Sequence, residues 1–279
     1  MSRAKIARYL ALIAVIAITD MLYGVIAGKV LDASFILLSL MTGVMLGSLL
    51  TWLLMRIGVK PLHALILTWI NLYVVMFLSN IVEAYFFTTI FSRVEVLAAA
   101  IIMPIPITLA EAAMAAIILP AGDRSLFNLI RSHLSSRNAG SWAWRIAVSA
   151  VAYLLVYFFF GMLAYPFVAE YYSDSTLGLR VPGFELIVPL EILRGLLYVA
   201  ALFPIIASLS GDHKSSFIAV FLMLFLVGGF IPLLSRPSIP PEILPFHTLE
   251  ILADSLVYGF ILSKILAAGG SSRNAGKHI

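Results

Sequence analysis

His247, Glu250, Asp254 and Tyr258 recur at helical spacing in the stretch 247–259, so at about 100° per residue they share one arc of a helix. Leu249, Ile251, Leu252, Leu256 and Val257 cover the rest of that helix. Similar polar islands lie elsewhere in greasy sequence: Asp20, Asn80-x-x-Glu83, Glu111 and Glu191-x-x-Arg194. Carboxylates of this kind can carry protons, hold cations or act as bases, and a guanidinium can anchor an anion or neutralise them. Glu191 and Arg194, three apart on one helix face, should pair, and Arg194 should need a second acidic neighbour, Glu83 or Glu250, from another element.

The elements that position these groups follow from composition. The 279-residue chain is 62% hydrophobic and 11% charged, with a mean hydropathy of +1.06, far from the roughly 25% charged residues of soluble domains. Apolar runs of about 20 residues fill nearly its whole length, so it reads as an all-α, polytopic membrane protein forming a single transmembrane domain over 1–279. The lipid bilayer is its first partner. The net charge of +4 is explained by topology rather than by nucleic acid, which is not expected as a partner. With no cysteine, disulfides, thiolate metal sites and cysteine nucleophiles are excluded.

About eight spans are expected, at 6–26, 35–55, 63–87, 96–119, 145–168, 187–209, 217–234 and 247–268, with a polar segment at 120–144 between the fourth and fifth. The basic start, Arg3, Lys5 and Arg8, runs into an apolar stretch without a small-residue cleavage site, so the first span is read as retained. Lys and Arg then sort by loop. Arg3, Lys5, Arg8, Arg56, Lys60, Arg124, Arg131, Arg137, Arg145, Lys214, Lys264, Arg273 and Lys277 fall on the side of both termini. Only Lys29, Arg93, Arg180 and Arg236 fall on the other, which predicts cytoplasmic termini in a cell membrane.

That topology brings Asp20, Asn80, Glu83, Glu191, Arg194, His247, Glu250 and Asp254 to the outer half of the bilayer, with Glu111 set apart on the cytoplasmic side of Pro104 and Pro106. Each charge facing lipid alone costs about 2.5–3.5 kcal/mol at mid-membrane, so these groups must pair, protonate or meet water. The central segment, with Leu126–Ile130, Arg131, His133, Arg137, Trp142 and Trp144, reads equally as an interfacial helix or a basic connecting loop. Tyr85–Phe87 and Tyr157–Phe160 read as lipid-facing or interfacial packing, and the prolines as mild signals of broken helices. Ser-Ser-Arg-Asn-Ala-Gly occurs at 135–140 and 271–276, but the surrounding spans do not superpose, so no duplication is inferred.

Glu191-x-x-Arg194 followed by His247 resembles in part the pattern of CAAX-processing intramembrane proteases. A single glutamate, a different spacing and one outer histidine leave that activity without its residues. His-Glu-x-x-His, Gly-x-Ser-x-Gly and phosphate-loop patterns are absent from the sequence.

Three readings remain open. The first is a transporter or carrier whose outward-accessible site takes a cation, a proton or an amphiphilic substrate. The second is an intramembrane enzyme acting on a lipid or peptide at the outer leaflet, with His247 or Glu250 as base or metal ligand. The third is a non-catalytic subunit whose partners are other chains of a membrane complex. The sequence names no cofactor.

Overall fold

The computed structural model describes residues 3–119, 122–173, 178–235 and 240–267. Among the described residues it is all-helical, with no strands, and seven helices are long and apolar enough to cross a membrane. These are α1 (Arg3–Ile26), α2 (Ala33–Ile57), α3 (Pro61–Phe87), α4 (Val94–Ile118), α6 (Ala139–Ser173), α7 (Phe184–Ser208) and α8 (His213–Leu234). Two more complete the bundle: the short α5 (Leu126–Leu134) and α9 (Leu244–Ile265). The 22 residues of α9 span about 33 Å, enough for a membrane, but His247, Glu250 and Asp254 make it less apolar than the seven.

Local chemistry sets the helix boundaries. Asp32 caps α2 by accepting from the Phe35 amide at 2.8 Å, and Gly58, at φ 63°, ends it in the left-handed conformation that a side chain disfavours. Asp212 caps α8 through the Ser215 amide at 3.0 Å. Asn138 accepts from the Ser141 amide at 2.8 Å, so the first copy of the repeated hexapeptide leads into α6. The second copy, with Arg273 and Lys277, lies outside the described residues, as does Arg236. Of the two forms considered for the central segment, the structure has helix: Leu126–Leu134 is α5, and α6 begins at Ala139 rather than at 145, so Trp142 and Trp144 are helical.

Close packing between helices relies on small residues. Gly43-x-x-x-Gly47 of α2 meets α1 so tightly that a Cβ at Gly43 would stand 2.6 Å from the Ile13 carbonyl oxygen. At Gly195 of α7 a Cβ would stand 2.6 Å from the Ala150 carbonyl oxygen of α6. α7 is the most enclosed of the seven spans, packed by α3, α6 and α8. α6 is in turn packed by α9, and α1 lies apart on α2 and α4.

The prolines act unequally: α6 and α7 continue past Pro166, Pro189 and Pro204, whereas α4 is interrupted at Met103, immediately before Pro104. Two further departures from α geometry among the described residues are π-helical segments, Leu72–Leu78 in α3 and Met223–Phe230 in α8, which pack against each other. Asn80 ties them, its Nδ2 donating to the Met76 and Gly228 carbonyls, both at 2.9 Å.

Both faces of the bundle are stitched by basic side chains. Where α1 begins and α9 ends, Arg56 binds Asp212 at 2.6 Å, and its hydrogen bonds, together with that from the Ser215 amide, pull the Asp212 pKa down to about 2. Arg124 donates to the Ile57 carbonyl, and Arg145, His133 and Arg137 donate to the Ile265, Leu266 and Ala267 carbonyls at the exit of α9. On the opposite face Arg180 caps α3 through the Tyr85 and Phe86 carbonyls, and Lys29 reaches the Ser235 carbonyl.

Candidate functional site

Arg194 is the centre of the polar cluster. Its Nη1 donates to Glu191 at 2.8 Å, one turn back on α7, and its Nη2 meets Glu83 of α3 at 2.9 Å. Glu83, and not Glu250, is therefore the second acidic partner. The guanidinium also lies 5.4 Å from the ring centroid of Tyr153 and 5.8 Å from that of Tyr157, both on α6. Tyr153 continues into a buried aromatic cluster with Tyr198 and Tyr258, each ring centroid 5.0 Å from its own. Tyr157 thus belongs to the interior and not, as its Phe-rich neighbours suggested, to the lipid surface; Phe159, 55% exposed, does face outward.

α9 supplies the other wall. His247 Nδ1 is 2.9 Å from Glu250, and Asp254, one turn on, lies within electrostatic reach of Glu250, Arg194, Glu83 and Glu191. Gly161 of α6 faces this wall, where a Cβ would make an ordinary contact with Glu250 Oε1 at 3.6 Å. Exposure grades across the cluster. The Glu191 and Arg194 side chains are 0% and 5% exposed, whereas Glu250, His247 and Glu83 are 14%, 21% and 24% exposed. The cluster is sealed on the α7 side and open toward α3 and the start of α9.

Three of its polar atoms are buried without a hydrogen-bond partner among the described residues: Glu191 Oε1, Arg194 Nε and Asp254 Oδ1. Unpaired carboxylate oxygens away from water are costly, and here they belong to groups with one fixed cation between them. If Glu83, Glu191, Glu250 and Asp254 all ionise, Arg194 is the one fixed cation among the described residues of the cluster, and His247 adds charge only when protonated.

Two of the expected site residues are placed differently. Asp20 accepts from Ser39 at 2.6 Å and lies electrostatically close to Glu111 and Lys29, because α1 packs on α2 and α4 rather than beside α7. Glu111 is accordingly not alone; it accepts from Thr19 at 2.9 Å. Asn80 shares a helix with Glu83 but spends its amide on the π-helical junction. Conversely, Tyr153, Tyr157 and Tyr198 belong to the site and were not legible as such, since an aromatic at helical spacing in a greasy span carries no mark of which face is inward.

No known protein family, curated protein or solved structure matches the chain. The reading of the site therefore rests on its geometry. Among the described residues no three His, Asp or Glu side chains are grouped to hold a metal ion, so His247, Glu250, Glu83 and Asp20 do not assemble into a metal centre. What the arrangement can do is exchange protons or an added cation against the fixed charge of Arg194, or orient His247 by Glu250 for proton transfer.

Proposed function

We propose that the protein is a carrier of the cell membrane, one transmembrane domain of eight crossings with α9 as the eighth and both termini cytoplasmic, whose acidic site takes a proton or cation. The sorting of Lys and Arg between loops supports that orientation. So does the course of α9: its exit is held by Arg145 near the start of α6, and its entry stacks Phe246 on Phe167 near the end of α6, at 4.5 Å between ring centroids. The observation that carries the function is the excess of carboxylates around Arg194, with Glu191 Oε1 and Asp254 Oδ1 buried and unpartnered. A packing lock needs matched charges, whereas a site that must load and release a cation needs surplus ones.

The natural absence of cysteine makes the test direct. In a Gly161→Cys protein the thiol stands beside Glu250. A carrier exposes it to an impermeant thiol reagent from either side of reconstituted vesicles, and the balance between sides shifts with pH. Glu191→Gln should abolish the pH response. Labelling from one side alone at every pH would overturn the reading.

A second reading, an intramembrane enzyme at the outer leaflet, is favoured by one observation, the 2.9 Å His247–Glu250 pair at the open end, which holds an imidazole as a general base requires. Hydrolysis of a lipid or peptide that is lost in His247→Gln would support it; equal activity in that variant would remove it.

A further inference from the structure

We propose that the site's ligand is an organic ammonium ion, bound by Asp254 and Glu250 with its apolar body against the α6 aromatics, and that Arg194 is a built-in counter-charge and not an anion receptor. The inference rests on the acidic-site reading above and adds the class of ligand.

Arg194 has no edge left for an anionic substrate. Nη1 and Nη2 already face the carboxylates of Glu191 and Glu83, Tyr153 and Tyr157 lie against the guanidinium, and Nε, though without a partner among the described residues, is buried away from the open end. An anion approaching it would also meet Glu250 and Asp254. A cation meets the reverse: carboxylates line the open end, and Asp254 Oδ1 has no competing donor among the described residues.

The spread of the carboxylates argues for a ligand larger than a bare ion. They come from α3, α7 and α9, and they do not close into a group that could hold a metal. An ammonium with several N–H donors can bridge separated carboxylates that cannot wrap a compact ion. The tyrosines already stabilise one organic cation, since the Arg194 guanidinium occupies a carboxylate and aromatic cage of the kind that recognises ammonium ligands. Phe246 stacked on Phe167 lies one residue from His247 and offers an apolar entry for the ligand's body.

Benzylammonium, benzoate and sodium are the probes, titrated calorimetrically into the purified full-length protein. Benzylammonium should bind saturably, benzoate should not, and sodium should compete weakly. Asp254→Asn, which removes a charge without removing any hydrogen bond to Oδ1, should weaken benzylammonium by about tenfold, the worth of one charge-assisted contact. Glu250→Gln should do the same, and both variants should elute and melt as the parent does. Saturable benzoate binding, or benzylammonium affinity unchanged in both variants, would overturn the proposal. Two-sided labelling of Gly161→Cys without any benzylammonium binding defeats this inference and leaves the carrier reading standing. Benzylammonium binding with one-sided labelling defeats the carrier reading and leaves the ammonium site standing.

Discussion

Asn80 and Gly228 join the two irregular spans of the bundle: the Asn80 amide donates to the Gly228 carbonyl at 2.9 Å across the interface of the two π-helical segments. The Asn80 amide thereby donates to one carbonyl of each π-helical segment, Met76 and Gly228. Asn80→Leu should therefore destabilise the protein by about 0.6–1.7 kcal/mol, the span from average to strongest interhelical hydrogen bonds in a membrane protein. The measurement is reversible unfolding in mixed micelles. Because Glu83 lies one turn along the same helix, the variant should also loosen the Arg194–Glu83 contact.

Removing Arg194 should be worse than removing either partner. Arg194→Gln leaves Glu191, at 0% exposure, without the cation that donates to it, and breaking a buried pair in this way costs about 3–5 kcal/mol. Glu83→Gln should cost less, because Glu83 is 24% exposed and Arg194 keeps Glu191. Unfolding of the two variants under one set of conditions checks the order; equal losses would mean that Glu191 is not the group left stranded.

The contrast between Glu191 and Glu83 also marks what sequence could and could not supply. Glu191 pairs with Arg194 within one helix, so spacing alone predicts it. Glu83 reaches Arg194 from another span, and its facing depends on the π segment at Leu72–Leu78, where the widened turn shifts the helix phase with no proline or glycine to announce it. Hydropathy likewise orders the polar residues along their spans but does not assign their neighbours. Asp20 is expected among the outer polar residues, yet its hydrogen bond is to Ser39, because lateral order in a bundle is set by packing such as Gly43 and Gly47 on Ile13, which topology does not encode.

His133 gives a pH dependence outside the spans. It is 2% exposed, packed by Trp142 and Phe203, and its Nε2 meets the Leu266 carbonyl at 2.8 Å. Burial pushes its pKa below the usual 6.5, the Leu266 carbonyl pulls it up less, and Arg137 pushes it down further. The folded state thus favours neutral imidazole more than the unfolded state does. The associated stability is full above about pH 6.5 and is lost as pH falls through the lower folded value. Melting of the parent should drop between pH 7 and pH 5 by more than that of His133→Gln, whose amide can still donate to Leu266.

The last prediction concerns how α1 is held. Gly43 and Gly47 present backbone to α1, and a Cβ at Gly47 would stand 2.9 Å from Ile13 Cγ1 while one at Gly43 would stand 2.6 Å from the Ile13 carbonyl oxygen. A side-chain carbon can shift by rotation, but a carbonyl oxygen moves only with its helix. Gly43→Val should therefore force α1 away from α2, and Gly47→Ala should be accommodated. Overpacking of this kind costs about 1–3 kcal/mol. Displacing α1 should also separate Asp20 from Ser39 and Thr19 from Glu111, while Arg194 and Glu191 on α7, and Glu83 on α3 beyond the Tyr23–Phe77 ring contact with α1, keep their contacts. Unfolding in micelles reads the first effect. Thiol labelling of Gly161→Cys in the Gly43→Val background reads the second, with an unchanged pattern expected; a changed one would show that the two polar groups are coupled through the bundle.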